Sequence, residues 1–195
     1  MEQVSHEALE QIFRGARTAN SYLPEPVTPD QLREIWELAK WGPTSANSMP
    51  ARIVWCLSQP ARDRLAACAS STNAAKISAA PAAAIVGMDL EFYERLPALH
   101  PAADARSWFT GNDRLIDETA FRNSALQGAY LIIAARALGF GVGPMSGFDA
   151  DAVDSAFFAG TKIRSNFLMT LGRADPQGFR PRNPRLGFEE ATQIE

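Results

Sequence analysis

The segment from about Asp117 to Leu138 constrains the fold more than any other. It is the strongest helical pattern in the chain, and Gly139 stands where a left-handed residue would end it. Its centre, Ala125 to Ala135, is apolar almost all round. A helix of that kind is buried on more than one side. Two arrangements satisfy it: the central helix of a monomer's core, or a helix with one face on the core and one on a second subunit.

The remaining elements are shorter. Ala8, Leu9, Ile12, Phe13 and Ala16 recur at helical spacing, so the chain opens with an amphipathic helix. A loop follows to Val27. Thr28, Pro29 and Gln31 form an N-cap, a first-turn proline and a capping-box partner. They start a helix with Leu32, Ile35, Trp36 and Ala39 on its apolar face, and Gly42-Pro43 stops it. Strands are expected at Arg52 to Leu57, Ala82 to Met88, within 139 to 147, and at Asn166 to Leu171. Further helices are expected from Pro60 to about Ser70 and from Asp149 to Phe158, with a helical turn at Glu91 to Arg95. Leu99 to Gly111 is an irregular excursion, and the tail from Arg173 is rich in Arg and Pro. The alternation gives an α/β or α+β domain with few strands and much helix. A chain of 195 residues is long enough for one domain with a sizeable core.

Charge and rare residues exclude several functions. Nineteen basic against 22 acidic side chains give a net charge of -3, which argues against nucleic-acid binding. The only histidines are His6 and His100, and the only cysteines Cys56 and Cys68, in no metal-binding spacing. Both cysteines sit in apolar stretches, as small buried hydrophobes do. The N-terminus lacks the pattern of a signal peptide, and the longest uncharged run, Asn123 to Ala135, is too short to span a membrane. A cytoplasmic protein is expected. There is no G-x-S-x-G elbow and no phosphate loop, and residues 139–147 miss the dinucleotide-binding spacing.

Five small-polar or basic clusters remain. Arg14 to Ser21 holds two guanidiniums, hydroxyls and an amide, a set that can grip a phosphate or serve a helix C-terminus. Pro43 to Pro50 suits a rigid loop against a planar heterocycle, or an ordinary capped turn. Asn73 and Lys76 share a helical face. The glycines of 139–147 allow close backbone approach to a ligand. Arg180 to Arg185 is a basic, proline-stiffened tail.

In this order the clusters resemble the FMN-dependent nitroreductase family over essentially the whole chain. The most specific segments are Lys40-Trp41-Gly42-Pro43-Thr44-Ser45-Ala46-Asn47, Asp104-Ala105-Arg106-Ser107-Trp108-Phe109, Glu118-Thr119-Ala120-Phe121-Arg122-Asn123-Ser124 and Gly143-Pro144-Met145-Ser146-Gly147-Phe148-Asp149. Within the family the chain is most similar to the malonic semialdehyde reductases of pyrimidine degradation and related NAD(P)H nitroreductases. The resemblance implies an α+β fold with a mostly antiparallel sheet flanked by helices. It implies one domain over residues 1–195, in an intertwined homodimer whose C-terminal extension, 173–195, embraces the partner.

The resemblance also implies a site for FMN at the dimer interface. Arg17, Thr18 and Asn20 match the family's phosphate motif, with departures at Ala16 and Asn20, where bases are more usual. Arg180 and Arg182 match its C-terminal basic pair. Pro43, Thr44, Ser45 and Asn47 match the loop that reaches the flavin from the other subunit. Asn73 and Lys76 match the pair beside the pyrimidine edge, where Lys76 is the catalytic cation for the reduced ring. Pro144, Met145, Ser146 and Gly147 match the segment whose backbone faces flavin N5. The implied reaction is ping-pong: NADH or NADPH reduces the flavin, leaves, and a small acceptor takes its place. Malonic semialdehyde is one acceptor, nitro compounds and quinones the alternative; a flavin-binding protein without turnover is a third. Trp108 and Phe109 fall where the family has a lid, with core aromatics as the alternative, and Arg106 or Arg122 is expected to meet an acceptor's carboxylate. No metal, nucleic acid or membrane is implied.

Overall fold

A computed structural model describes residues 2–195. The chain opens with α1 (His6–Leu9), which runs on into a single wide turn over Glu10–Arg14 closed by Gly15 N–H donating to the Glu10 carbonyl. In α2 (Pro29–Ala39) the expected capping box is complete: Gln31 N–H donates to Thr28 Oγ1, and Thr28 N–H to Gln31 Oε1. β1 (Ala51–Cys56) is followed by α3 (Gln59–Ala66) and α4 (Ser71–Ala79). The one helix expected from Pro60 to about Ser70 is thus shorter, and a second helix carries Asn73 and Lys76. β2 (Ala82–Asp89) leads through α5 (Leu96–Leu99) and the excursion to α6 (Asp113–Ala137). β3 (Gly141–Met145), α7 (Ala150–Phe157), β4 (Ile163–Gly172) and α8 (Phe188–Ala191) complete the chain.

The dominant helix starts four residues before its expected limit because Asn112 accepts from Leu115 N–H and caps it early. It ends as expected at Gly139, whose φ is +78°. Its buried positions include Ile116, Ala120, Asn123, Gln127, Leu131 and Ala134, spaced three and four apart on one face.

The four strands form one antiparallel sheet in the order β1-β2-β4-β3, as an α+β fold requires. Side-chain alternation sorts the core. Ala82, Ala84 and Val86 of β2, with Met169 and Leu171 of β4, face α2 and α6. Ala83 and Ile85, with Leu168, join residues of α3, α4 and α7 on the opposite face. β2 and β4 are central and covered on both faces, which explains why β2 reads as a continuous apolar run. A third cluster, around Phe92, Leu96 and Phe109, roofs the N-terminal end of α6. Cys56 is buried and Cys68 half-buried, both as free thiols.

Candidate active site

Several expected site residues gather on the β3 edge of the sheet. Thr18 bridges to Val142 of β3, and Ala19 N–H donates to the Val142 carbonyl (3.0 Å). A Cβ on Gly143 would lie 2.8 Å from the Ala19 carbonyl oxygen and 2.5 Å from Thr170 Oγ1, so glycine is needed for this approach. On the far side of the glycine loop, α4 docks through Asn73: its Nδ2 donates to the Gly147 carbonyl (3.0 Å), which also accepts from Ser70 N–H. One turn on, Lys76 Nζ donates to Asn20 Oδ1 (3.0 Å). The phosphate motif, the Asn73–Lys76 pair and the 144–147 segment thus form one continuous surface. The departure from the motif at position 20 acquires a reason here: a base at that position would repel Lys76, whereas the amide oxygen orients it.

Beside this surface lies a cavity of about 330 Å³, lined by Arg17, Thr18, Asn20, Arg180 and Arg182, with Arg136 and Arg185 adding further charge. No carboxylate lines it, and none of these five arginines forms an ion pair among the described residues. Arg17 Nη1 donates to the Ala16 carbonyl (3.0 Å), and Arg182 Nη2 to the Arg14 and Ala16 carbonyls (2.5 and 2.8 Å). The tail at Arg182 therefore docks on its own chain's first helix. The segment free to reach another subunit lies beyond it, where Leu186, Phe188 and Ile194 are exposed.

The Pro43–Asn47 loop lies elsewhere, at the entry to β1. Between Pro43 and Pro50, three residues have left-handed backbone without being glycine: Ala46 (φ 51°), Asn47 (φ 52°) and Met49 (φ 42°). Each costs roughly 1–2 kcal/mol, so the surroundings must over-determine the loop. A polar stripe on α6 does so. Asn123 Oδ1 accepts from Ser45 N–H (2.8 Å) while its Nδ2 donates to the Thr119 carbonyl (2.9 Å). Gln127 Oε1 accepts from Ala51 N–H (2.8 Å). Asn47 Nδ2 donates to the Leu99 carbonyl (2.8 Å), and Arg52 Nη1 to that of Met49 (2.9 Å). Asn123 and Gln127 thus position the loop, a role that the motif reading assigned to neither. Their signal was present: Thr119, Asn123 and Gln127 recur every four residues within the most apolar helix of the chain.

The tentative acceptor residues divide. Phe109 is buried, edge-on to Phe92 at 4.9 Å between ring centroids, and packs as a core aromatic does. Trp108 is half-exposed and lies beside His100. Arg106 is held by Glu94 in a two-pronged pair, with Nε and Nη2 at 2.8 and 2.7 Å from the carboxylate oxygens, which draws the Glu94 pKa down. This commits Arg106 to an ion pair. Arg122 is exposed on α6 with no ion-pair partner among the described residues.

β1 and β3 are opposite edges of the sheet, with β2 and β4 between them. Three strand spacings, roughly 14 Å, therefore separate the two halves. No hydrogen bond among the described residues joins them.

The sequence and the fold both match a known family. The nitroreductase family model fits residues 13–173. A protein of Burkholderia lata named "Putative NADH dehydrogenase/NAD(P)H nitroreductase" is 57% identical over 195 residues, covering all of both chains. A protein of the same name from Stenotrophomonas maltophilia is 55% identical over 187 residues, 96% of this chain and 95% of its own. Among solved structures, a Bacillus subtilis protein superposes with a TM-score of 0.89 at 22% identity, covering 98% of this chain and 100% of that one. One from Exiguobacterium sibiricum, solved in complex with FMN, superposes at 0.85 and 19% identity over the full length of both. The chain belongs to the nitroreductase family.

Proposed function

We propose that this protein is an FMN-dependent oxidoreductase that takes electrons from NADH or NADPH, with each site assembled from two copies of the chain. The observation that carries this is the cavity of unpaired arginines at the β3 edge, continuous with Lys76 and the 144–147 segment. Five guanidiniums without a carboxylate need an anion, and the phosphate of FMN fits the cavity's donor set of Arg17, Thr18, Arg180 and Arg182. When bound, FMN supplies the hydride relay between NAD(P)H and an acceptor. The protein positions and polarises. Lys76, held by Asn20, puts a fixed positive charge beside the glycine loop, where negative charge would develop. Asn73 fixes the carbonyl of Gly147 and so the course of the segment that faces the ring. Thr44, Ser45 and Asn47, some three strands away in their own chain, would serve the site of a second subunit.

For the acceptor, a small carbonyl acid such as malonic semialdehyde requires a free cation, and Arg122 is the remaining candidate. A second reading, a broad nitro or quinone reductase, is favoured by the commitment of Arg106 to Glu94. The ratio of kcat/KM for malonic semialdehyde to that for a nitroaromatic separates them. The flavin reading itself is tested by an anaerobic absorbance spectrum of the FMN-reconstituted protein. Bleaching of the flavin bands on addition of NADH or NADPH is expected. Failure to take up FMN would overturn the reading, and uptake without bleaching would reduce it to flavin binding without turnover.

A further inference from the structure

We propose that Arg136, from the last turn of α6, is a phosphate ligand of the cationic cavity and supplies charge that the phosphate motif lacks at Ala16 and Asn20. The inference rests on the flavin reading and concerns one residue outside the family motifs. Arg136 lines the cavity with Arg17 and Arg182. Its side chain makes one hydrogen bond among the described residues, a long one from Nη1 to the Ile12 carbonyl (3.2 Å). Its Nε is buried with no partner, and no carboxylate stands within ion-pair distance. Burial and the nearby Arg182 charge both push its pKa down. A half-buried guanidinium facing other guanidiniums is costly to hold unless an anion joins it.

Its neighbours show why a further charge is needed. Arg17 and Arg182 each commit one nitrogen to the carbonyls that end the first helix. Those carbonyls are the negative end of the helix dipole and offset part of both charges. Asn20, where the motif usually has a base, is turned to Lys76. Among the cavity's guanidiniums, Arg136 is the one whose unpartnered nitrogen is buried.

The test compares the Kd for FMN with the Kd for riboflavin, which lacks the phosphate, in the wild-type protein and in the Arg136→Gln and Arg136→Lys variants. Flavin fluorescence quenching gives both constants. Arg136→Gln is expected to raise the FMN Kd about tenfold or more, the loss of one charged hydrogen bond. The riboflavin Kd should stay within about twofold, and Arg136→Lys should recover part of the loss. Equal weakening of both flavins would make Arg136 a support for the first helix through Ile12 and overturn the proposal, as would an unchanged FMN Kd. If Arg136→Gln does not fold, Arg136→Lys decides: FMN weakened with riboflavin unchanged supports the proposal, and any other pattern overturns it. A wild-type protein that binds riboflavin as tightly as FMN would refute a phosphate in this cavity and overturn the proposal while leaving the flavin reading standing, whereas one that binds neither would overturn both.

Discussion

Lys76 owes its position to Asn20, a contact at 3.0 Å between residues far apart in sequence. Lys76→Ala should slow NAD(P)H-driven flavin reduction roughly 100-fold, the cost of losing one aimed charge. Stopped-flow absorbance checks it, and a loss under threefold would make Lys76 a bystander. Arg106 and Arg122 make a sharper pair. Arg106 is already held by Glu94, so Arg106→Ala should leave the KM for an acidic acceptor unchanged, whereas Arg122→Ala should raise it about tenfold, as for loss of one charge pair. Tyr22 gives a prediction for stability. Burial pushes its pKa up to about 12, although its 2.6 Å hydrogen bond with Thr170 Oγ1 acts the other way. The folded state favours the neutral phenol, so its contribution is intact below about pH 10, the unfolded value, and is lost as pH rises toward 12. Of order 2 kcal/mol is at stake. Urea unfolding at pH 9 and near pH 12 should show the drop in the wild-type protein and a smaller one in Tyr22→Phe.

Among the elements, α6 does two jobs with one face. Its apolar positions pack on the sheet, and Asn123 and Gln127 on the same face hold the strained loop before β1. Asn123→Ala removes the hydrogen bond that holds Ser45 N–H, which costs about 0.5–1.5 kcal/mol for a part-buried bond. Because the loop already carries left-handed residues, it should relax, and FMN affinity should fall together with thermal stability. Asn123→Asp keeps the acceptor but buries a carboxylate against the Thr119 carbonyl, and should restore neither. These elements also show what a sequence discloses. The capping box of α2, the glycine stop of α6 and the apolar run of β2 were legible because each is a local rule satisfied by neighbouring residues. The docking of Lys76 on Asn20 was not, because the sheet alone brings those segments together. The left-handed residues at 46, 47 and 49 were not legible either, since no glycine announces them. Phe109 was ambiguous for the same kind of reason, because an aromatic in a loop becomes core only once Phe92 covers it.

The whole molecule has an unfinished face. Phe121 and Leu126 on α6 are 56% and 46% exposed, on the side turned away from the sheet. This accounts for a helix apolar almost all round in a sheet that covers one side of it. In the dimer proposed above, a second copy would bury that face, and the shared site requires its β1-edge loop to meet the first copy's β3 edge. Phe121→Glu combined with Leu126→Lys should yield monomers in sedimentation velocity that lose FMN. No helix among the described residues is long and apolar enough to cross a membrane.

The shared site is the central claim, and subunit complementation tests it most directly. Lys76→Ala disables the β3-edge half, and Thr44→Ala combined with Asn47→Ala disables the β1-edge half. Co-expressed, the two inactive chains should form mixed dimers in which one of the two sites has neither defect. Random pairing would then leave about a quarter of all sites intact, and turnover should recover to that fraction of wild type. Turnover no higher than the average of the two parents would mean that each site is built from a single chain, and would contradict the account.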